Sequence, residues 1–165
     1  MQLAGEPPLH LTSVGKLFLV ADEAARVRAY AMRTGLSDHT QNSITDLAKL
    51  ERELSFVRQQ YCARDNEELE LGVRCIAVGI YDDSDRLVAG LSLSAPADRL
   101  QDAWLKQLSH TALDISRSLG YRPEQAAPAD VQAAHRRCIG YGCSAVPPAT
   151  PPGMRVRTGR FGKLS

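Results

Sequence analysis

A thiol and two hydroxyls, Cys75, Ser92 and Ser94, fall on two neighbouring runs that read as β-strands. Ser92 and Ser94 are two residues apart, so in an extended chain they point to one face. With Asp65 they suggest a small, partly polar pocket. Nucleophilic use of Cys75 would need an adjacent base. His10, His39 and His110 are the candidates nearest in sequence, and none stands at a protease or transferase spacing. A mid-strand cysteine otherwise reads as a small core residue, and a strand serine as one satisfied by backbone. A second constellation is Thr12-Ser13-Val14-Gly15 at a helix start. Free N–H groups at such a start suit a carboxylate or phosphate, although spacing alone fits a capped helix that binds only water. The fragment GEPPLHLTSVGK shares with a phosphate-binding loop only its Gly-Lys pair. A third is His135, Cys138 and Cys143. A closed zinc site wants four ligands at settled spacings, so these three read as incidental and no metal is expected.

The elements that must position these residues are legible as patterns. Residues 72–96 carry two apolar runs, Val73–Tyr81 and Leu87–Leu93, around the turn-forming Asp82-Asp83-Ser84-Asp85, which predicts a β-hairpin. The first run is apolar on both faces and belongs inside a sheet. Helices are predicted from Thr12-Ser13 through VGKLFLVA, from Asp22-Glu23 to Arg33 with Gly35 at its end, and from Asp46 along Leu47, Leu50, Leu54, Val57 and Tyr61. Residues 61–66 read as a short strand or extended turn, and Glu67, Glu68 and Glu70 as a solvated connection. A last helix is predicted from about Ala97 to Leu119 on the stripe Leu100, Trp104, Leu108, Ala112, Ile115 and Leu119. Helices, a hairpin, then a long helix make an α+β class with an antiparallel sheet.

Composition fits a soluble globular protein, with 44% hydrophobic and 24% charged residues. No run of 18 apolar residues marks a membrane span, and the start MQLAGEPPLHLTSVGK is unlike a signal peptide. A cytoplasmic location is expected, with Cys62, Cys75, Cys138 and Cys143 as thiols. The net charge of +1 divides unevenly, into −4 over residues 1–121 and +5 over residues 122–165. The latter also hold six of the nine prolines. A boundary is placed after Tyr121, with residues 122–165 expected to be a disordered Pro/Arg-rich tail.

Four passages resemble the C-terminal effector-binding domain of the IclR (isocitrate lyase regulator) family of bacterial transcription factors. They are LHLTSVGKLFLVA, ITDLAKLERELSFVRQQY, the strand pair ARDNEELELGVRCIAVGIYDD and RLVAGLSLSAPADRL, and the closing ISRSLGY. In order they cover about two-thirds of the chain. The wording around Asp-Asn-Glu-Glu and Gly-Leu-Ser-Leu-Ser is similar to that of sugar-acid catabolism regulators. The resemblance implies a GAF-like or profilin-like sheet with flanking helices, incomplete at the N-terminus. It implies a receptor for a small organic acid, such as a 2-oxo acid or sugar acid, with no cofactor and no enzymatic activity.

It also implies a site. The backbone at Ser13 and Val14 would take the ligand carboxylate, and Asp65 would accept from a ligand hydroxyl or hydrate. Cys75 would line the pocket, Ser92 and Ser94 would bond the other carboxylate oxygen or the oxo group, and Val73 would form an apolar wall. Three local departures stand out: Ser94-Ala95-Pro96 for Ser-Gly-Pro, Gln60 rather than Gly before Tyr61, and Gly79 where proline is common. The family's winged helix-turn-helix, its linker helix and the first strands of the domain have no counterpart here. DNA contact is therefore expected only through a helix-turn-helix domain outside this sequence, and an open sheet edge is expected to invite pairing. Self-association as a dimer or tetramer follows from the resemblance, and no membrane partner does. The alternative is a stand-alone GAF-like sensor acting through protein contacts, and a weaker one a thiol enzyme using Cys75.

Overall fold

The computed structural model describes residues 8–123 together with the backbone of 155–159. A 3-10 turn at Leu9–Leu11 leads into helix α1 (Ser13–Ala21), followed by α2 (Ala24–Thr34) and α3 (Leu47–Gln60). Strands β1 (Cys62–Asn66), β2 (Val73–Tyr81) and β3 (Leu87–Pro96) come next, then α4 (Trp104–Ser118) and β4 (Arg155–Gly159). The sheet order is β1-β2-β3-β4, antiparallel throughout. The α+β class and the central position of β2 follow the sequence pattern.

Caps define the helix ends. Thr12 Oγ1 accepts the Gly15 amide at 3.1 Å, and Asp46 Oδ1 accepts that of Lys49 at 2.9 Å. Gly35 ends α2 in the left-handed region at φ 65°. Tyr61 does the same for α3 at φ 55°, an unfavourable backbone for a side-chain-bearing residue. It takes the cap that a glycine would hold without strain.

The sheet has two covered faces. Ile76, Val78, Ile80, Leu91 and Leu93 pack with Leu108 and Ala112 of α4. On the other face Ala63 and Ala77 meet Leu17 of α1 and Val57 of α3. Their small side chains let two helices close down on three strands. Leu19, Val27, Tyr30, Leu36, Leu50 and Leu54 form a further core among α1, α2 and α3.

Three expectations need correction. The last helix starts at Trp104, not Ala97. Pro96 ends β3, and a turn follows with Leu100 N bonded to the Pro96 carbonyl at 3.1 Å. Glu68 is not solvated: it is 6% exposed, because it neutralises a buried lysine. Within the stretch expected to be a disordered tail, residues 155–159 form β4 on the outer edge of β3. Unpaired backbone groups on that edge account for the pairing. Leu119 lies half exposed at the end of the α4 stripe. His135, Cys138 and Cys143 lie outside the described residues.

Candidate functional site

Strand register brings the polar side chains into rows. Asp65 pairs with Cys75, and Cys75 with Ser94. One row therefore crosses three strands on the face under α1. The next row is Ala63, Ala77 and Ser92. Directly opposed residues share a face, so Asp65, Cys75, Ser92 and Ser94 are neighbours, and Val73 extends their face by one position.

Helix α1 is held against that face. Gly90, two residues before Ser92, has no Cβ, and one there would lie 2.7 Å from Val14 Cγ1. The missing side chain is what allows Val14 to rest on β3. At the other end of the same turn, a Cβ on Gly15 would overlap the Leu9 carbonyl and the Thr12 hydroxyl. Two glycines thus seat the helix start between the 3-10 turn and the sheet.

The helix start has amides to offer. Thr12 takes up two of the first four, through its hydroxyl to Gly15 N and its carbonyl to Lys16 N at 3.0 Å. Those of Ser13 and Val14 have no partner among the described residues. Such amides, with the helix dipole behind them, favour an anion.

At its β1 end the row closes on a carboxylate. Asp65 is 3% exposed, and its Oδ1 accepts the Glu68 amide at 2.8 Å. Burial pushes its pKa up, against the opposing pull of the Glu68 amide, the Lys16 ammonium and the Cys75 thiol. Cys75 Sγ lies 3.0 Å from Ser94 Oγ, so the thiol stands between carboxylate and hydroxyl. Ser13 and Ser92 are buried, whereas Val14, Val73, Cys75 and Ser94 are half-buried. Of the seven residues singled out in the sequence, Asp65, Val73, Cys75, Ser92 and Ser94 share the sheet face under α1, and Ser13 and Val14 open that helix, with Val14 packed over Gly90. None of them lines the cleft of about 450 Å³ between Val57, Arg58, Tyr61 and the β2–β3 turn, or the small cavity of about 20 Å³ under α4.

Residues 3–120 match the family model described as "Bacterial transcriptional regulator IclR C-terminal". The chain belongs to the IclR family. It is 37% identical over 125 residues to the HTH-type transcriptional repressor AllR of Salmonella typhimurium, covering 73% of this chain and 46% of AllR. The chain thus spans about half the length of the curated relatives it matches. Among solved structures, the C-terminal domain of E. coli KdgR is 35% identical at a TM-score of 0.63, covering 69% of this chain and 72% of that one. The inducer-binding domain of PobR from Acinetobacter, a double mutant complexed with 3-hydroxybenzoic acid, is 28% identical at a TM-score of 0.62. That match covers 73% of this chain and 69% of that one. Residues 3–120 accordingly correspond to the C-terminal domain of IclR-family transcriptional regulators. The relatives are regulators and not enzymes.

Lys16 is the feature of this site that spacing did not bring forward. It is fully buried in α1 and bonded to Glu68 Oε1 at 2.7 Å. A signal existed: one lysine inside the otherwise apolar VGKLFLVA has to meet an anion if the helix is buried, and Glu67-Glu68 lies in an acidic run with Asp65 and Glu70.

Proposed function

We propose that this domain binds a small organic acid between the start of α1 and the Asp65–Cys75–Ser94 row. The observation that carries the reading is that two uncommitted amides, on Ser13 and Val14, open the helix that covers the sheet face bearing that polar row. The amides take the acid's carboxylate. Ser92 and Ser94 donate to its second oxygen or to an oxo group, and the Asp65 carboxylate accepts from a hydroxyl or a hydrated carbonyl. Val73 supplies an apolar wall. Cys75 acts as a weak donor and not as a nucleophile, and no cofactor or metal takes part. Binding favours one packing of the domain or its self-associated form, a dimer or tetramer, and so biases attached helix-turn-helix domains on DNA in the cytoplasm. The 3-hydroxybenzoic acid complexed with the PobR domain supports an aromatic acid as one class to test, beside 2-oxo and sugar acids.

Thermal unfolding of the full chain against pyruvate, 2-oxobutyrate, gluconate and 3-hydroxybenzoate tests the reading. A ligand present at one hundred times its Kd adds about 2.7 kcal/mol, a rise in Tm on the order of 10 °C for a domain of this size. No stabilisation by any acid of the panel at millimolar concentration counts against a receptor of this class. Among the described residues no helix is long and apolar enough to cross a membrane.

A further inference from the structure

The Lys16 side chain is 0% exposed, and its ammonium donates to Glu68 Oε1 at 2.7 Å, the Arg64 carbonyl at 2.8 Å and Glu53 Oε1 at 3.1 Å. Three donors meet three acceptors, so the ammonium is satisfied. Those acceptors lie on α3, on β1 and on the turn after β1. Glu68 continues the path, since its amide donates to Asp65 Oδ1 at 2.8 Å. Lys16 itself stands two residues after Val14 on the same short helix. A run of direct bonds therefore joins the helix start to the carboxylate across the site.

We propose that Lys16 is the positioning residue of the effector site, setting the span between the α1 amides and the Asp65 carboxylate. The proposal rests on the effector-binding reading above. An acid held at both ends has to match that span, and among the described residues Lys16 is the direct polar tie seen from α1 to the Asp65 turn. The charged and titratable groups facing the ammonium are Glu53 from α3, Asp65 and Glu68 from the β1 end, and His10 from the 3-10 turn. Cys75 of β2 faces Asp65 from the sheet. Glu68 Oε2 is buried with no hydrogen-bond partner among the described residues. Loss of Lys16 alone would strand that carboxylate and endanger the fold.

The test therefore compares E68Q with K16M/E68Q in the full chain. In that background the loss of Lys16 leaves Glu53, which is 32% exposed and reaches water, and Asp65, which keeps its bond from the residue 68 amide. Two quantities are read. The first is the pH titration of the Asp65 side-chain carboxyl by NMR without ligand. It is expected to move upward in K16M/E68Q, because the neighbouring ammonium is gone. The second is the affinity for pyruvate and 3-hydroxybenzoate. It is expected to fall at least about tenfold at neutral pH, since a misplaced contact group weakens every interaction that depends on its geometry. The loss should shrink or grow with pH across the range where Asp65 titrates, which a merely looser fold would not produce. An unmoved Asp65 titration overturns the proposal whether or not an acid binds. So does a moved titration with unchanged affinity. Failure of the wild-type chain to bind any acid sinks the effector reading, while the Asp65 titration still decides what Lys16 does.

Discussion

Val14 occupies the space a side chain on Gly90 would need, with a hypothetical Cβ 2.7 Å from Val14 Cγ1. Close approach of helix to strand is a condition for the proposed acid site, because it seats the start of α1 on β3. Gly90→Ala is expected to push α1 outward and cost about 1–3 kcal/mol, as overpacking of a filled core does. Chemical denaturation reads the loss. A variant as stable as the wild type, with undiminished acid affinity, would show that the seat of α1 has slack.

The Thr12 cap can be removed without touching the site-facing amides. Thr12→Ala loses the bond from its hydroxyl to Gly15 N, and a missing N-cap costs about 1 kcal/mol. Thermal unfolding should show the drop. Amide hydrogen exchange should show faster opening at Gly15 than in the middle of α3. Equal exchange in variant and wild type would mean that the 3-10 turn and Gly15 packing alone hold the helix start.

His10 links stability to pH. It is fully buried, with Nε2 3.1 Å from the Ser37 carbonyl and Nδ1 2.8 Å from the Tyr30 hydroxyl. A carbonyl only accepts, so Nε2 carries the proton and Nδ1 accepts from Tyr30. Burial first of all, then the nearby His39 and Lys16 charges, lower the His10 pKa from 6.5, while the Ser37 bond opposes them. The unfolded chain therefore binds this proton more readily than the folded one. The His10 contribution is complete above about pH 6.5 and is lost as pH falls below it. Asp65 and Glu68, raised mainly by burial, push the other way at lower pH. The difference between wild type and His10→Gln isolates the effect: the wild type should lose more stability between pH 7.5 and 5.5. Parallel stability profiles would sink the assignment.

Cys75 and Ser94 make graded predictions for affinity. Ser94→Ala removes one hydroxyl and should weaken acid binding by roughly 2- to 13-fold, the worth of one net hydrogen bond. Cys75→Ser keeps a donor beside Asp65 and should change affinity less. Titration calorimetry ranks the two. Covalent capture of an acid by Cys75, or turnover that Cys75→Ser abolishes, would replace the receptor reading with a thiol enzyme.

Much of this was readable from residue order. Apolar residues on both faces of Val73–Tyr81 placed β2 inside a sheet. Spacing from Leu47 to Tyr61 marked α3, and the Ser92/Ser94 interval put two hydroxyls on one face. These are local properties, because helix and strand periods act over a few residues. The start of α4 escaped because Leu100 fits a helical stripe, while Pro96 and the turn after it are set by where β3 ends. Glu68 escaped for a different reason. Its burial depends on Lys16, 52 residues earlier, and charges pair through space rather than along the chain.

The sequence by itself determined the α+β class, the hairpin and the chemical types available for binding, since propensity and periodicity are written into neighbouring residues. Only the tertiary structure decided that Gly90 would receive Val14, that Lys16 would be buried among carboxylates, and that β4 would take the β3 edge. Each of those depends on which distant surfaces meet, and complementary shape and charge become visible only when they do.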